Sequence, residues 1–323
     1  MQTPSAIKQN AFAEDVRKGL SSNPKSLSSR YFYDDEGSRL FRRIMDLPEY
    51  YLTRAEFEIF SKQTAEIFAA FTQENESFDL IELGAGDGTK TAVLIDYFLR
   101  RETDFTYSPI DISREAVDVL TDKFTAEFPD LRINAQVGDY FRILETLKSA
   151  SKRRKILLFL GSNIGNFSHS QSIDFFTSLR AAMNTGDLWF VGFDLQKDPR
   201  VILKAYDDAE GVTAEFNLNL LRRINREMGA NFNLENFSHY AVYRPIECAA
   251  RSFLISREPQ TVFIEALGEG FEFAAWEAIF MEISQKYNAP MIENLARASG
   301  FAVEQNFYDS RQYFVDSLWK VKE

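Results

Sequence analysis

In the stretch FDLIELGAGDGTKT, residues 78–91, an apolar run carries Glu82 and leads into Gly84, Gly86 and Gly88, each separated by one residue. Alternate glycines after a strand let the backbone turn tightly and approach a ligand, because no Cβ stands in the way. Three patterns compete for such a turn. A phosphate-binding loop needs G-x-x-x-x-G-K-[ST]; Lys90 and Thr91 are present, but the glycine before the lysine is replaced by Thr89. The dinucleotide fingerprint G-x-G-x-x-G fails at the same position. The pattern met is acidic-x-Gly-x-Gly-x-Gly, which suits a ligand with a cationic amino acid end and no phosphates. Asp111, at the end of the next apolar run, can accept two hydrogen bonds from a ribose diol. Asp139 in GDYF, with Tyr140 beside it, falls in a loop near the third strand, where proteins of similar pattern often contact the adenine amine. The expected cofactor is S-adenosylmethionine, held by Glu82, Gly84, Gly86, Gly88, Lys90, Asp111, Asp139 and Tyr140. A glycine turn that merely starts a helix is the plainer alternative; acidic residues closing three successive strands favour the cofactor.

Around that turn the chain alternates helix and strand patterns as a parallel sheet requires. AEFEIFSKQTAEIFAAF has helical apolar spacing, FDLIEL is a strand, and KTAVLIDYFLRR is a helix. TYSPIDIS, RINAQVGDY, KILLFLGSNIGNF and DLWFVGFDLQ are read as the second to fifth strands, with helices at EAVDVLTDKFTAEF and SIDFFTSLRAAM. The tail MIENLARASG is a helix stopped by Gly300, followed by two strands, FAVEQNFYD and YFVDSLWKV. The expected fold is α/β: a Rossmann-like sheet with a C-terminal β-hairpin, similar in its ending to the class I methyltransferases, plus a second α+β domain for the substrate. The first 60 residues and about 90 after the fifth strand do not fit the alternation. They are expected to form that second domain over the C-terminal ends of the strands, giving 61–195 and 287–323 for the methyltransferase domain and 1–60 and 196–286 for the substrate-binding domain.

With 323 residues, 45% of them hydrophobic, the chain can bury a core for each domain. A net charge of -11 argues against nucleic-acid or anionic-membrane partners. The one dense basic cluster, KSASKRRK at 148–155, is read as a solvated loop entering a strand. Cys248 is the single cysteine, so no disulfide can form within the chain, and His169 and His239 are the only histidines, so no metal site is expected. Without a signal-like or membrane-spanning segment, a cytoplasmic monomer acting on a small molecule is the expectation.

Longer stretches narrow the substrate. SNPKSLSSRYFYDDEGSRLFRRIMDLPEYYLTRAEFEIF, FLGSNIGNF, AYDDAEGVTAEFNLNLLRRINREMGANF and MEISQKY together resemble the histidine Nα-methyltransferase family of ergothioneine biosynthesis, nearly end to end. The resemblance implies three successive methyl transfers from S-adenosylmethionine to the α-amine of L-histidine, giving the betaine hercynine. It also implies roles. Tyr50, Asn166 and Tyr206 would hold the substrate's carboxylate and amino group, Tyr33 would sit near the amine, and Glu282 and Ser284 would grip the imidazole. Gly161 would lie where cofactor and substrate meet. Tyr33, Asn166 and Tyr206 are the candidate catalytic residues; Tyr50, Gly161, Cys248, Glu282 and Ser284 complete the substrate set.

Two positions depart from the family pattern. Gly88 stands where the best-known members carry a serine, and Cys248 where they carry a methionine beside the substrate ring. The smaller Cys248 would leave the pocket wall roomier, so another amino acid or a histidine derivative is an alternative acceptor, and a catalytically silent cofactor- or amino-acid-binding relative is a third reading. Residue by residue, plainer roles stay open. Tyr50 and Tyr51 can be core aromatics, Asn166 can cap a helix or turn, Tyr206 can face solvent on a helix, and Glu282 and Ser284 can be one exposed face of a strand. His169 and His239 are expected at the surface.

Overall fold

The computed structural model describes residues 4–72, 77–111, 113–138, 141, 143–146 and 153–322. Asp139, Tyr140 and part of the basic cluster lie outside the described residues. Two compact units emerge, one from residues 1–51 and 197–284, the other from 52–196 and 285–323. In chain order the strands are β1 (Lys25–Ser26), β2 (Phe78–Leu83), β3 (Phe105–Asp111), β4 (Gln136–Val137), β5 (Arg154–Phe159), β6 (Leu188–Asp194), β7 (Phe237–Arg244), β8 (Ala249–Ser256), β9 (Gln260–Ile264), β10 (Glu269–Phe273), β11 (Ala278–Gln285), β12 (Phe301–Tyr308) and β13 (Phe314–Val321).

The unit of residues 52–196 and 285–323 is a seven-stranded sheet in the order β12-β13-β6-β5-β2-β3-β4. β2 pairs in parallel with both β3 and β5, and β13 runs antiparallel to β6 and to β12. The strands are near-continuous apolar runs because both faces are covered, as a parallel sheet demands. One face packs Phe60, Phe71, Phe98 and Phe190 against each other beneath the helices Tyr51–Lys62, Thr64–Phe71 and Thr89–Arg100. The other buries Ile81, Leu157, Phe176, Trp189, Leu295 and Trp319 under the helices His169–Ala181 and Ala289–Ala298. The strand order reverses at β2, and the crevice beyond the C-terminal end of such a strand is where open α/β sheets bind ligands. The glycine turn stands directly after β2.

Two elements differ from the sequence reading. The stretch AEFEIFSKQTAEIFAAF is two helices, Tyr51–Lys62 and Thr64–Phe71, broken where Gln63 leaves the helical region (φ -119°, ψ 20°). The third strand shrinks to Gln136–Val137 plus a bridge from Tyr107 to Ile133; its polar residues suit an edge that pairs on one side only.

The other unit carries the sheet β1-β11-β8-β7 and the hairpin β9-β10. Its core joins Leu40 and Ile44 of the helix Asp35–Asp46, Phe216 and Leu220 of the helix Val212–Met228, and Leu254, Ile279 and Met281 of the sheet. Asp34 caps the first of these helices by accepting the Gly37 N–H at 2.8 Å, and ties it to the second by accepting from Asn219 at 2.7 Å and Arg226 at 2.6 Å. Asp208 caps the second, accepting the N–H groups of Val212 and Thr213 at 2.9 and 2.8 Å.

Candidate active site

All three glycines of the turn are left-handed, with φ of +70° at Gly84, +57° at Gly86 and +67° at Gly88. They do two different jobs. A Cβ at Gly84 or Gly86 would meet nothing within 4 Å, so there glycine serves the backbone shape and an open approach. A Cβ at Gly88 would lie 2.5 Å from both Leu120 Cδ1 and Phe124 Cζ, so there it lets the helix Arg114–Glu127 close over the turn. Asp87 accepts the Thr89 N–H at 3.0 Å and fixes the entry to the following helix.

Beside the turn runs a groove lined by Ala85, Gly86, Pro109, Asp111, Ala116, Val117 and Leu120. Among the described residues its walls are apolar, its one charged residue is a carboxylate, and no lysine or arginine lines it. That donor set fits an adenosyl group, with Asp111 for the ribose diol, better than it fits a phosphate. Asp111 also accepts the Ser113 N–H at 2.8 Å, which holds its carboxylate at the strand end.

Glu82 lies under the turn rather than in the groove. It is 3% exposed; its carboxyl accepts from Thr91 Oγ1 at 2.8 Å and from Tyr107 Oη at 2.6 Å. Burial pushes its pKa up to about 7, against those two hydrogen bonds and the Lys90 charge. Lys90, the first basic residue after the turn, is ion-paired with Glu56. Burial pulls its ammonium down, but the Glu56 charge and hydrogen bond outweigh it and hold the pKa above the ordinary lysine value. Gly161, two residues past β5, has φ +73° and donates its N–H to Glu56 Oε1 at 2.7 Å. Asn166 ends a 3-10 turn, Asn163–Asn166, and is exposed; the next helix is capped by Ser168 in a capping box with Gln171, so capping is not the role of Asn166.

The other unit carries the remaining sequence-selected residues. Tyr206 lies in the turn after the helix Pro199–Lys204, not on a helix, and is 8% exposed. Its hydroxyl donates to Ser284 Oγ at 2.7 Å. Ser284 and Glu282 both sit on β11, Ser284 buried and Glu282 half-buried. Tyr33 packs edge-on against Phe41 and Phe216, with ring centroids 5.4 and 5.6 Å apart. The surrounding protein desolvates its phenol although 47% of the residue surface is open, so a small molecule can still reach it. That desolvation first, then Glu282 and Tyr206, push its pKa far above the phenolic range, and the phenol stays neutral. Tyr50 is half-buried with its ring 6.1 Å from Phe41, whereas Tyr51 is the core aromatic of the pair, 2% exposed and bonded to Lys197 at 2.9 Å. Cys248 lies in the turn between β7 and β8 with φ +53°, and its thiol donates to the Pro245 carbonyl at 3.2 Å. His169 is exposed as expected; His239 is half-buried, its Nε2 2.9 Å from the Tyr206 carbonyl, because β7 passes beside that turn.

The sequence reading passed over Glu56 and Asp316, both 0% exposed. The signal was present: Glu56 falls on the apolar stripe of its helix with Leu52, Ile59 and Phe60, and Asp316 alternates with the buried Phe314 and Leu318 along β13. Ionisable groups at core positions need partners.

A parallel sheet reversing at β2, a glycine turn at its switch point, and an antiparallel strand inserted before the edge define the Rossmann-like fold of class I methyltransferases. Residues 12–321 match the family described as histidine-specific, S-adenosylmethionine-dependent methyltransferases, and the chain belongs to that family. It is 37% identical over 289 residues to the histidine N-alpha-methyltransferase of Mycolicibacterium smegmatis, covering 89% of this chain and 88% of that one. It is 36% identical over 290 residues to the histidine N-alpha-methyltransferase of Mycobacterium tuberculosis, covering 90% and 88%. Ergothioneine biosynthesis protein 1 of Schizosaccharomyces pombe is 28% identical over 266 residues, covering 80% of this chain and 34% of that protein. Among the described residues no helix is long and apolar enough to cross a membrane, and no cluster of ligating side chains could hold a metal ion.

Proposed function

We propose that the protein methylates the α-amine of L-histidine three times in succession, using S-adenosylmethionine and releasing Nα,Nα,Nα-trimethylhistidine. The family match over residues 12–321 carries this reading. When bound, the cofactor supplies an electrophilic methyl group. Gly84, Gly86 and Asp111 would hold it along the apolar groove, with Lys90 and Gly161 at its amino acid end. Asp139 and Tyr140 are assigned to the adenine by motif alone.

The chain's own residues would hold and orient the acceptor. A serine that accepts from Tyr206 still has its own O–H to donate, while Glu282 can only accept when ionised. One donor and one acceptor on a single strand match a neutral imidazole, which has one ring N–H and one bare ring nitrogen. Tyr33, kept neutral, can orient the amine through its oxygen without acting as a base or competing as a nucleophile. Tyr50 and Asn166 are assigned to the carboxylate and amino group. A nitrogen positioned in line with the methyl then needs only to lose its proton.

The test is to incubate the protein with S-adenosylmethionine and each of the twenty amino acids in turn and to identify products by mass spectrometry. Trimethylated histidine as the dominant product is the expected result. Methylation of another amino acid would keep the cofactor assignment and overturn the acceptor, and silence across the panel would overturn both.

A further inference from the structure

A buried polar cluster lies under the cofactor turn, and the chemistry above leaves its purpose open. Glu56 comes from the helix Tyr51–Lys62 and Asp316 from the middle of β13. Asp316 stands opposite Gly192 in the β13–β6 ladder. A Cβ at Gly192 would come 2.6 Å from Glu56 Oε1, so glycine at that strand position is what lets the Glu56 carboxyl lie down on the sheet. Its two oxygens are then divided: Oε1 accepts the Gly161 N–H at 2.7 Å and Oε2 pairs with Lys90 Nζ. Neither oxygen of Asp316 accepts a hydrogen bond from any described donor, although both are sealed from solvent.

Charge counting decides what this cluster is. Two ionised carboxyls against one ammonium would leave a net negative charge in the interior, and adjacent buried carboxyls do not both ionise. Burial first, and then the Glu56 charge, hold the Asp316 proton on, against the pull of Lys90. With that proton on Asp316, its O–H donates to Glu56, every oxygen of Glu56 is engaged, and one carboxylate balances one ammonium. The ionisable groups facing Asp316 are Glu56 and Lys90, and Glu82 is the further carboxyl in electrostatic reach of those two.

We propose that Glu56 and Asp316 form a singly protonated carboxyl dyad that positions the Lys90 ammonium and the Gly161 peptide for the cofactor. The proposal rests on the reading of Lys90 and Gly161 as cofactor contacts. Both are positioning residues, acting through groups that would touch the ligand. Loss of the dyad's proton as pH rises sets two negative charges side by side and loosens both groups, so cofactor affinity falls with it.

The test measures S-adenosylhomocysteine binding to the full chain by calorimetry as a function of pH, together with infrared spectra. Glu56→Gln, which strips the charge opposite Lys90, is expected to weaken binding by at least about tenfold. Asp316→Asn keeps a donor to Glu56; it is expected to lose less affinity than Asp316→Ala and to flatten the fall with rising pH expected of the parent. The parent at neutral pH is expected to show a protonated-carboxyl C=O band that Asp316→Asn removes while the band from Glu82 stays. Absence of that band overturns the dyad. If Glu56→Gln does not fold, the band and the Asn-against-Ala contrast decide. Lys90→Met separates the two layers: weakened by Lys90→Met but not by a folded Glu56→Gln, binding refutes the dyad's role alone, whereas binding untouched by Lys90→Met refutes the cofactor reading beneath it.

Discussion

In the proposed imidazole grip Glu282 is the charged acceptor, beside the Ser284 hydroxyl that Tyr206 holds through a 2.7 Å hydrogen bond. Replacing Glu282 by alanine removes a charged acceptor, a loss of about 1.5–3 kcal/mol. Steady-state kinetics should show a histidine KM at least about tenfold higher with a smaller effect on kcat; an unchanged KM would move the ring elsewhere. Tyr33 supports a different prediction. Burial, reinforced by Glu282 and Tyr206, keeps its phenol protonated at any working pH. Tyr33→Phe should therefore lower kcat/KM by about fivefold, the worth of one neutral hydrogen bond, without moving the pH–rate profile. A shifted alkaline limb would make the phenol a titrating catalytic group and contradict the desolvation argument.

At the scale of elements, the glycine turn separates conformational strain from packing. Gly86→Ala adds a methyl at φ +57° with nothing within 4 Å, so its stability cost is the left-handed strain alone, about 1–2 kcal/mol. Gly88→Ala adds similar strain and drives the methyl to 2.5 Å from Leu120 and Phe124, an overpacking worth about 1–3 kcal/mol more. Urea denaturation should rank Gly88→Ala below Gly86→Ala in stability, while calorimetry should find the Gly86 variant the weaker cofactor binder among folded proteins. The same contact accounts for glycine at position 88: Leu120 and Phe124 occupy the space that a side chain would need. Such a reason lies outside the local sequence, and so do the other features missed. The parallel strands, the turn and the terminal hairpin were legible because apolar runs and glycines are local signals. The break at Gln63 carries neither proline nor glycine, and the partnership of Glu56 with Asp316 joins residues 260 positions apart through the bare surface of Gly192.

For the whole molecule, buried carboxyls set how stability responds to pH. Native Glu82 keeps its proton up to about pH 7, whereas an unfolded glutamate releases it near 4.5. Between those values the native state binds more protons than the unfolded state, so unfolding free energy falls as pH rises, by about 1.4 kcal/mol per unit for one group. Glu82 alone then removes roughly 3 kcal/mol by pH 7 and nothing further above it. Asp316, raised well above the ordinary aspartate value by burial and then by Glu56, adds to the same decline as pH rises above the ordinary aspartate range. Asp34 has the opposite sign: burial is outweighed there by bonds from Arg226, Gly37 and Asn219, so its contribution is lost only as pH drops below the ordinary aspartate range, outside this window. Tryptophan fluorescence can follow the relevant unit, since Trp189 and Trp319 are fully buried in it while Trp276, in the other unit, is 73% exposed. Urea titrations at pH 5 and pH 7.5 should show the parent losing stability over that interval. Glu82→Gln, which can still bond Thr91 and Tyr107 but carries no proton to lose, should lose less, by up to roughly 3 kcal/mol. Parallel behaviour of the two proteins would mean that Glu82 is ionised beneath the turn, with Lys90 shared between two carboxylates, and the charge balance assigned to Glu56 and Asp316 would have to be redrawn around it.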